Sequence, residues 1–275
     1  MQTDPTARPA SRAGGDAVLA RELADEAGRL LLGVRADLGH SDAAALRAAG
    51  DRASHELLVA RLAELRPDDV VLSEEGADDR ARLAADRVWI VDPLDGTREF
   101  GEEGRTDWAV HVALWSAGEL VAGAVALPAR GVTLATDVPP VTPAAAVGRR
   151  LRLAVSRTRA PEFVTALAAE LDADLVPMGS AGMKVAAVVL GEVDAYVHSG
   201  GQYEWDSAAP VAVARAAGLH TSRLDGSPLR YNQPDLLLPD LIVCAAPLAS
   251  GILDAVRPDR RESADRRNTV TGETQ

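Results

Sequence analysis

An apolar run, Trp89-Ile90-Val91, delivers two carboxylates at its end, Asp92 and Asp95. Pro93 between them cannot donate to a strand ladder and is expected to block its continuation, while Gly96 permits the tight turn that brings backbone amides close to a ligand. Both acids can then face one point. Magnesium takes about six oxygens in near-octahedral order and keeps several waters, so carboxylates with one backbone carbonyl, here that of Leu94, suit it better than imidazole or thiolate. If Thr97 opens a helix, its amide and that of Gly96 lie at the positive helix end, where a phosphate oxygen is stabilised. A metal site and a phosphate site would then adjoin.

Taken alone, Asp-Pro-x-Asp-Gly is equally an ordinary capped turn. Two further acidic positions change the balance. Glu74 and Glu75 follow another short apolar run, although adjacent acids at a helix start are also simply favourable to its dipole. Asp206 stands where the N-cap of an Ala/Val-rich helix ending at Gly218 belongs, and most such aspartates only cap. The coincidence of all three is what points to a cation site.

Elements able to carry these residues can be read from hydrophobic periodicity. Residues 1–15, rich in Pro, Ala, Arg and Gly, show none and are expected to form a disordered tail, with the fold beginning near Asp16. Leu19, Leu23, Ala27, Leu30, Leu31, Val34 and Leu38 recur at helical spacing, and a second helix is expected from about Asp51. Short apolar runs at 70–72, 88–91, 108–115, 120–127 and 132–136 predict strands. The proline-bearing stretch 137–148 is the best linker candidate, dividing an N-terminal α+β metal-binding half (16–140) from a C-terminal α/β half (149–256). In the latter, strands at 151–155, 174–177, 193–198 and 241–246 alternate with helices at 162–171, 181–190 and 206–217. A charged second tail is expected over 257–275.

Composition narrows the function classes. The chain has 275 residues, 47% apolar and 25% charged, the balance of an ordinary globular protein. Its formal charge is −12, from 29 basic and 41 acidic residues, with no basic stripe, so nucleic acid is a poor partner. An anionic small substrate is compatible with so acidic a chain when cations stand between the carboxylates and the substrate. The single cysteine, Cys244, excludes an internal disulfide and fits a reducing cytoplasm. No stretch approaches the ~18 consecutive apolar residues of a membrane span, so a cytoplasmic protein is expected, neither secreted nor embedded in a membrane.

The three acidic clusters, in this order, resemble the signatures of the inositol monophosphatase superfamily: Ser73-Glu74-Glu75-Gly76, the block Trp89 to Thr97, and Trp205-Asp206-Ser207-Ala208-Ala209. Within it, the segments 95–100, 179–184 and 200–206 look like the CysQ-type 3'(2'),5'-bisphosphate nucleotidases of actinobacterial kind. The resemblance implies an alternating α-β-α-β-α sandwich of two closely packed halves, an α/β (α+β layered) fold. It also implies removal of the 3'-phosphate from 3'-phosphoadenosine 5'-phosphate, clearing a by-product of sulfate assimilation. Two or three Mg2+ ions, lithium sensitivity and a homodimer belong to the same expectation.

By this resemblance Glu74, Asp92, Asp95, Asp206 and the Leu94 carbonyl hold metal, Glu75 stands behind them, and Asp51 with Thr97 orients and activates the attacking water. The substrate contacts implied or guessed are Gly96, Thr97, Arg98, Ser156, Ser180 and Lys184. The chain departs from the family pattern before Asp51, where a V-T-x-x-D-like string is usual but Leu46-Arg47-Ala48-Ala49-Gly50-Asp51 stands. Lys184 is the only lysine in the chain; a compact ammonium serves phosphate as a point charge, while the alternative is one unremarkable surface lysine. His111 and His198 are read as structural, because nothing around them repeats histidine-ligand spacing.

The chemistry expected is in-line hydrolysis, with a water aligned by Asp51 and Thr97 attacking phosphorus while cations neutralise the leaving alkoxide. Inositol monophosphatase or fructose-1,6-bisphosphatase activity is the alternative within the same chemistry. A nonenzymatic metal- or nucleotide-binding regulator is the alternative outside it, and it gives no reason to keep Asp51 and Thr97.

Overall fold

The computed structural model describes residues 10–142, 148–158 and 160–257. Residues 1–9 and 258–275 of the two expected tails, and 143–147 of the expected linker, lie outside the described residues.

Two long helices open the chain, α1 (Ala10–Leu38) and α2 (Ala43–Leu65). Both start earlier than periodicity predicts. Helix α1 reaches back into the expected tail, and α2 begins eight residues before Asp51. The second difference has a local cause. Asp42 caps the helix by accepting the backbone N–H groups of Ala44 and Ala45 at 3.1 and 3.0 Å, and the run Ala43-Ala44-Ala45-Leu46-Arg47-Ala48-Ala49 is made of strong helix formers. Asp51 therefore lies inside a helix rather than at its start.

A five-stranded sheet follows, in spatial order β1 (Val70–Ser73), β2 (Arg87–Asp95), β3 (Ala109–Ser116), β4 (Glu119–Leu127) and β5 (Val132–Ala135). Its β1–β2 pair is parallel and the rest antiparallel. The short helix α3 (Thr97–Gly101) leaves the end of β2. The second sheet comprises β6 (Leu151–Ser156), β7 (Ala173–Met178), β8 (Ala195–Tyr203), β9 (His220–Ser222) and β10 (Leu237–Cys244), in the order β7-β6-β8-β10-β9. Its helices are α4 (Glu162–Glu170), α5 (Ala181–Val189), α6 (Glu204–Ala216) and α7 (Ala249–Val256).

Three apolar clusters reveal the layers. The first joins α1 and α2 to one face of the first sheet through Leu23, Leu31, Leu58, Trp89 and Val91. The second fills the middle, where Val88 and Ile90 meet α5 and α6 (Val185, Val188, Val211, Val213) and, beyond them, Tyr196 and Leu241 of the second sheet. The third packs α4 and α7 on the outer face of that sheet. The order is helix, sheet, helix, sheet, helix, the layered α/β sandwich anticipated. Because the middle helices bury against both sheets, one core spans both parts of the chain.

Candidate active site

Register explains how acids distant in sequence meet. Strands β1 and β2 run parallel with Ser73 opposite Val91, so the next residue on each, Glu74 and Asp92, emerge side by side. The Glu74 amide donates to the Val91 carbonyl at 3.3 Å. Strand β2 does not stop at Pro93 as expected but continues to Asp95 through a bulge. Asp92 pairs with His111 and Asp95 with Ala109, leaving one extra residue on β2. Pro93 sits in the bulge, where its missing N–H is tolerated. The consequence is a change of parity: Val88 and Ile90 face the middle layer, Leu94 belongs to the outer cluster with Trp89 and Val91, and the inserted residue turns Asp95 back to the side of Asp92.

Asp206 arrives from α6. It is not the N-cap predicted, since the helix starts at Glu204 with Tyr203 as cap; Asp206 lies in the first turn and accepts the Tyr203 amide at 2.6 Å. One carboxylate oxygen from each of Asp92, Asp95 and Asp206 lies within 4.8 Å of the others.

The electrostatics of this cluster are those of negative charge without enough compensation. Burial, then repulsion from Asp95, Glu74 and Asp206, pushes the Asp92 carboxyl well above the usual range. Burial likewise raises Asp206, to about 6, with Asp95 adding to it. Much of the Glu74 side chain is open to solvent, yet desolvation and the charges of Asp206, Asp95 and Glu75 raise its carboxyl to about 7, against the lowering effect of its hydrogen bond with Asp92.

Asp95 alone is pulled down, to about 2. Burial opposes this, but the Ser180 hydroxyl and the Gly182 amide donate to Oδ2 at 2.5 Å each and the Ala181 amide to Oδ1 at 3.1 Å. His111 Nε2 lies 3.2 Å from Oδ2. This last contact acts through charge, because Nε2 has no well-aligned acceptor. His111 is fully buried, donates from Nδ1 to the Trp205 carbonyl at 3.1 Å, and is itself raised above its ordinary value despite burial, chiefly by Asp95. Its position opposite Asp92 fits the structural role read from the sequence, with a specific partner the sequence did not reveal.

The donor set suits a hard divalent cation. Its ligands are oxygens only, three of them converge within one coordination shell's span, and their unrelieved repulsion is what a bound cation removes. Asp92, Asp95 and Asp206, with Glu74 beside them, are the residues that could hold it. Asp92 Oδ1 also accepts the Leu94 amide at 3.1 Å.

On the open side, Thr97 Oγ1 lies 3.2 Å from Asp51 Oδ1 and 3.0 Å from the Leu94 carbonyl oxygen. Helix α2 is fastened here by Ser54, whose buried hydroxyl donates to the Pro93 carbonyl at 2.7 Å, and by His55, 2.9 Å from Ser73 Oγ at the end of β1. Burial, then the charge of Glu75, raises the Asp51 carboxyl to about 6, with the Thr97 hydroxyl working against them. Gly96, at φ +85°, makes the turn into α3.

Beyond Thr97 a cavity of about 260 Å³ is lined by Gly96, Arg98, Ser156, Gly179, Ser180 and Lys184 among others. A second, of about 410 Å³, shares Ser156 and Lys184 and continues to Tyr196, His198 and Gln202. Arg98 is exposed, and Ser180 is buried with its hydroxyl engaged by Asp95. Lys184 is not on the surface: it is 6% exposed, donates to the Ser180 and Gly179 carbonyls at 2.5 and 3.2 Å and lies 5.4 Å from the Tyr196 ring centroid. Burial lowers its pKa.

Sequence reasoning passed over Ser54, His55 and Glu204. The last is 1% exposed and accepts the Asn232 and Gln233 amides at 2.6 and 2.7 Å. A glutamate adjoining the Trp205-Asp206 pair was the only available signal.

Known proteins resemble this chain in sequence and in fold. A 3'-phosphoadenosine 5'-phosphate phosphatase of Mycobacterium leprae is 53% identical over 253 residues, covering 88% of this chain and 93% of its own. The 3'(2'),5'-bisphosphate nucleotidase CysQ of Escherichia coli K12 is 32% identical over 201 residues, 69% of this chain and 81% of its own. The crystal structure of CysQ from Bacteroides thetaiotaomicron, a bacterial member of the inositol monophosphatase family, superposes with a TM-score of 0.71 at 30% identity, covering 84% of this chain and 97% of that one. The model of the inositol monophosphatase family matches residues 16–258, which include all three acidic segments and the layers that position them. This chain belongs to the inositol monophosphatase family.

Proposed function

We propose that this chain is a magnesium-dependent phosphatase that removes the 3'-phosphate of 3'-phosphoadenosine 5'-phosphate, giving AMP and phosphate. The observation that carries the reading is the cluster of the Asp92, Asp95 and Asp206 carboxylates near a polar cavity of about 260 Å³, in a chain 53% identical to a protein named for that activity. Two or three Mg2+ ions, held by Glu74, Asp92, Asp95, Asp206 and the Leu94 carbonyl with Glu75 behind them, belong to the proposal. So do a cytoplasmic location, lithium sensitivity, a homodimer and the division into halves at 16–140 and 149–256.

Bound cations at these carboxylates supply Lewis acidity toward the phosphoryl oxygens and lower the pKa of water. The protein's own groups do the rest. Thr97 has one proton to give, and when it donates to Asp51 its lone pairs remain to accept from a water, which fixes that water's orientation. Asp51, with its carboxyl near 6, is ionised at neutral pH yet basic enough to take the water's proton. Gly96 leaves the turn's amides open to the phosphoryl group. Lys184 places positive charge between the two cavities, and Arg98 and Ser156 line the nearer one. Phosphate release measured at fixed Mg2+ across 3'-phosphoadenosine 5'-phosphate, inositol 1-phosphate and fructose 1,6-bisphosphate tests the assignment. A clear preference for the first is expected; a preference for either sugar phosphate overturns the substrate and leaves the reaction class standing.

A further inference from the structure

Between β1 and β2 the chain carries Glu74 and Glu75 and then a stretch in which every residue from 74 to 81 is exposed. The next buried anchor is Arg82, 1% exposed, within the 3-10 turn Arg80–Ala84. A guanidinium at that depth is costly unless each donor is used, and here the donors are used in a fixed pattern. Nε donates to Asp78 Oδ1 at 2.6 Å, Nη1 to Asn232 Oδ1 at 2.8 Å, and Nη2 to the Gln233 carbonyl at 2.9 Å. Asn232 Nδ2 returns a bond to the Arg82 carbonyl at 3.1 Å. The Asn232-Gln233 turn is gripped from its other side by Glu204, the first residue of α6 and two residues from Asp206.

A continuous chain of buried and part-buried hydrogen bonds thus runs from the segment that follows Glu74 to the helix start that carries Asp206, bypassing the carboxylate cluster. We infer that Arg82 is a positioning residue for the metal centre, fixing the Glu74-bearing segment against the Asp206-bearing helix. The inference rests on the reading of those carboxylates as the metal site. Without this fork, residues 74–81 keep few buried contacts, and a segment of that kind opens locally at little cost. A carboxylate on it then reaches the cation only after reordering. Lysine cannot substitute, because one ammonium does not span three acceptors in a plane.

The test is Arg82→Lys in the full chain, with Mg2+ affinity by titration calorimetry and hydrogen exchange of residues 74–86 measured alongside kcat at low and saturating Mg2+. Mg2+ binding about tenfold weaker or more, faster exchange confined to 74–86 and the 232–233 turn, and kcat recovering at saturating Mg2+ are expected. Unchanged Mg2+ affinity in the folded variant overturns the inference, as does weaker binding without faster exchange in 74–86. Should Arg82→Lys fail to fold, Asn232→Ala, which removes one acceptor and leaves the Asp78 pair, is judged by the same results. Absence of Mg2+ binding in the wild-type protein refutes the metal site itself, so the two failures are told apart.

Discussion

Asp95→Asn separates the role of Asp95 in chemistry from its role in folding. The substitution keeps the shape of the side chain but removes its charge. In the wild-type protein this carboxylate accepts from Ser180, Ala181 and Gly182 and faces His111, and folding lowers its pKa to about 2. A carboxyl held there instead of at its ordinary ~3.9 contributes roughly 2–3 kcal/mol, present above the unfolded pKa and lost only as pH falls through about 2. At neutral pH the substitution forfeits that contribution. Asparagine oriented with its oxygen toward Ser180 and Gly182 keeps those two bonds in weaker, neutral form and turns its amide toward the Ala181 N–H, losing one charge-assisted bond of about 1.5–3 kcal/mol. The two figures describe the same interactions and are not summed. Against them stands relief of the repulsion that raises Asp92. A metal-free destabilisation of about 1–3 kcal/mol follows, well inside the ~5–15 kcal/mol of a typical domain, so the variant folds. Turnover is expected to fall at least ~1,000-fold, about 4 kcal/mol of transition-state stabilisation. Circular dichroism with thermal melting, and phosphate release under saturating Mg2+, measure the two quantities. A folded variant retaining more than about a tenth of wild-type turnover refutes the reasoning.

In metal-free protein, Glu74 and Asp206 are raised to about 7 and about 6, so the native state binds their protons more tightly than the unfolded chain. Stability is therefore lost as pH rises from about 4 through 7, and the raised His111 acts in the same direction at the upper end. Melting temperatures with chelator should fall across this window, and the gain on adding Mg2+ should be larger at pH 8 than at pH 5.5; a gain independent of pH contradicts the assignment. Asp51→Asn should lower kcat by about 100-fold or more with little change in melting temperature, and should flatten the acid limb near pH 6 in the pH profile of kcat/KM. Lys184→Met removes the ammonium that the Gly179 and Ser180 carbonyls hold beside the two cavities, so KM for a bisphosphate substrate should rise more than kcat falls; steady-state kinetics on the folded variant decide it.

The grouping of much of the candidate site was legible because its residues are concentrated in short segments. Asp92, Leu94, Asp95, Gly96 and Thr97 are near neighbours in sequence, and the strand before them and the turn after them follow from local patterning. The alternation of helix and strand gave a layered α/β unit in the second half, whereas the full sandwich came from the family resemblance. What local patterning does not hold is register and tertiary reach. The bulge that turns Asp95 to the side of Asp92 depends on pairing with β3, and Pro93, read as a terminator, is accommodated instead. The early start of α2 comes from Asp42 and an alanine run whose weak amphipathicity hid the helix. His111 and Arg82 were invisible as partners because their contacts lie 16 and 150 residues away, at Asp95 and Asn232, and nothing near them in sequence marks those meetings.

Diffraction from crystals grown with Mn2+ in place of Mg2+, collected at the manganese absorption edge, addresses the central claim directly. Anomalous peaks within about 2–2.5 Å of carboxylate oxygens of Asp92, Asp95 and Asp206 are predicted, with Glu74 drawn onto the same ions. Peaks elsewhere on the molecule, with these four side chains bare or bonded only to one another, would contradict it.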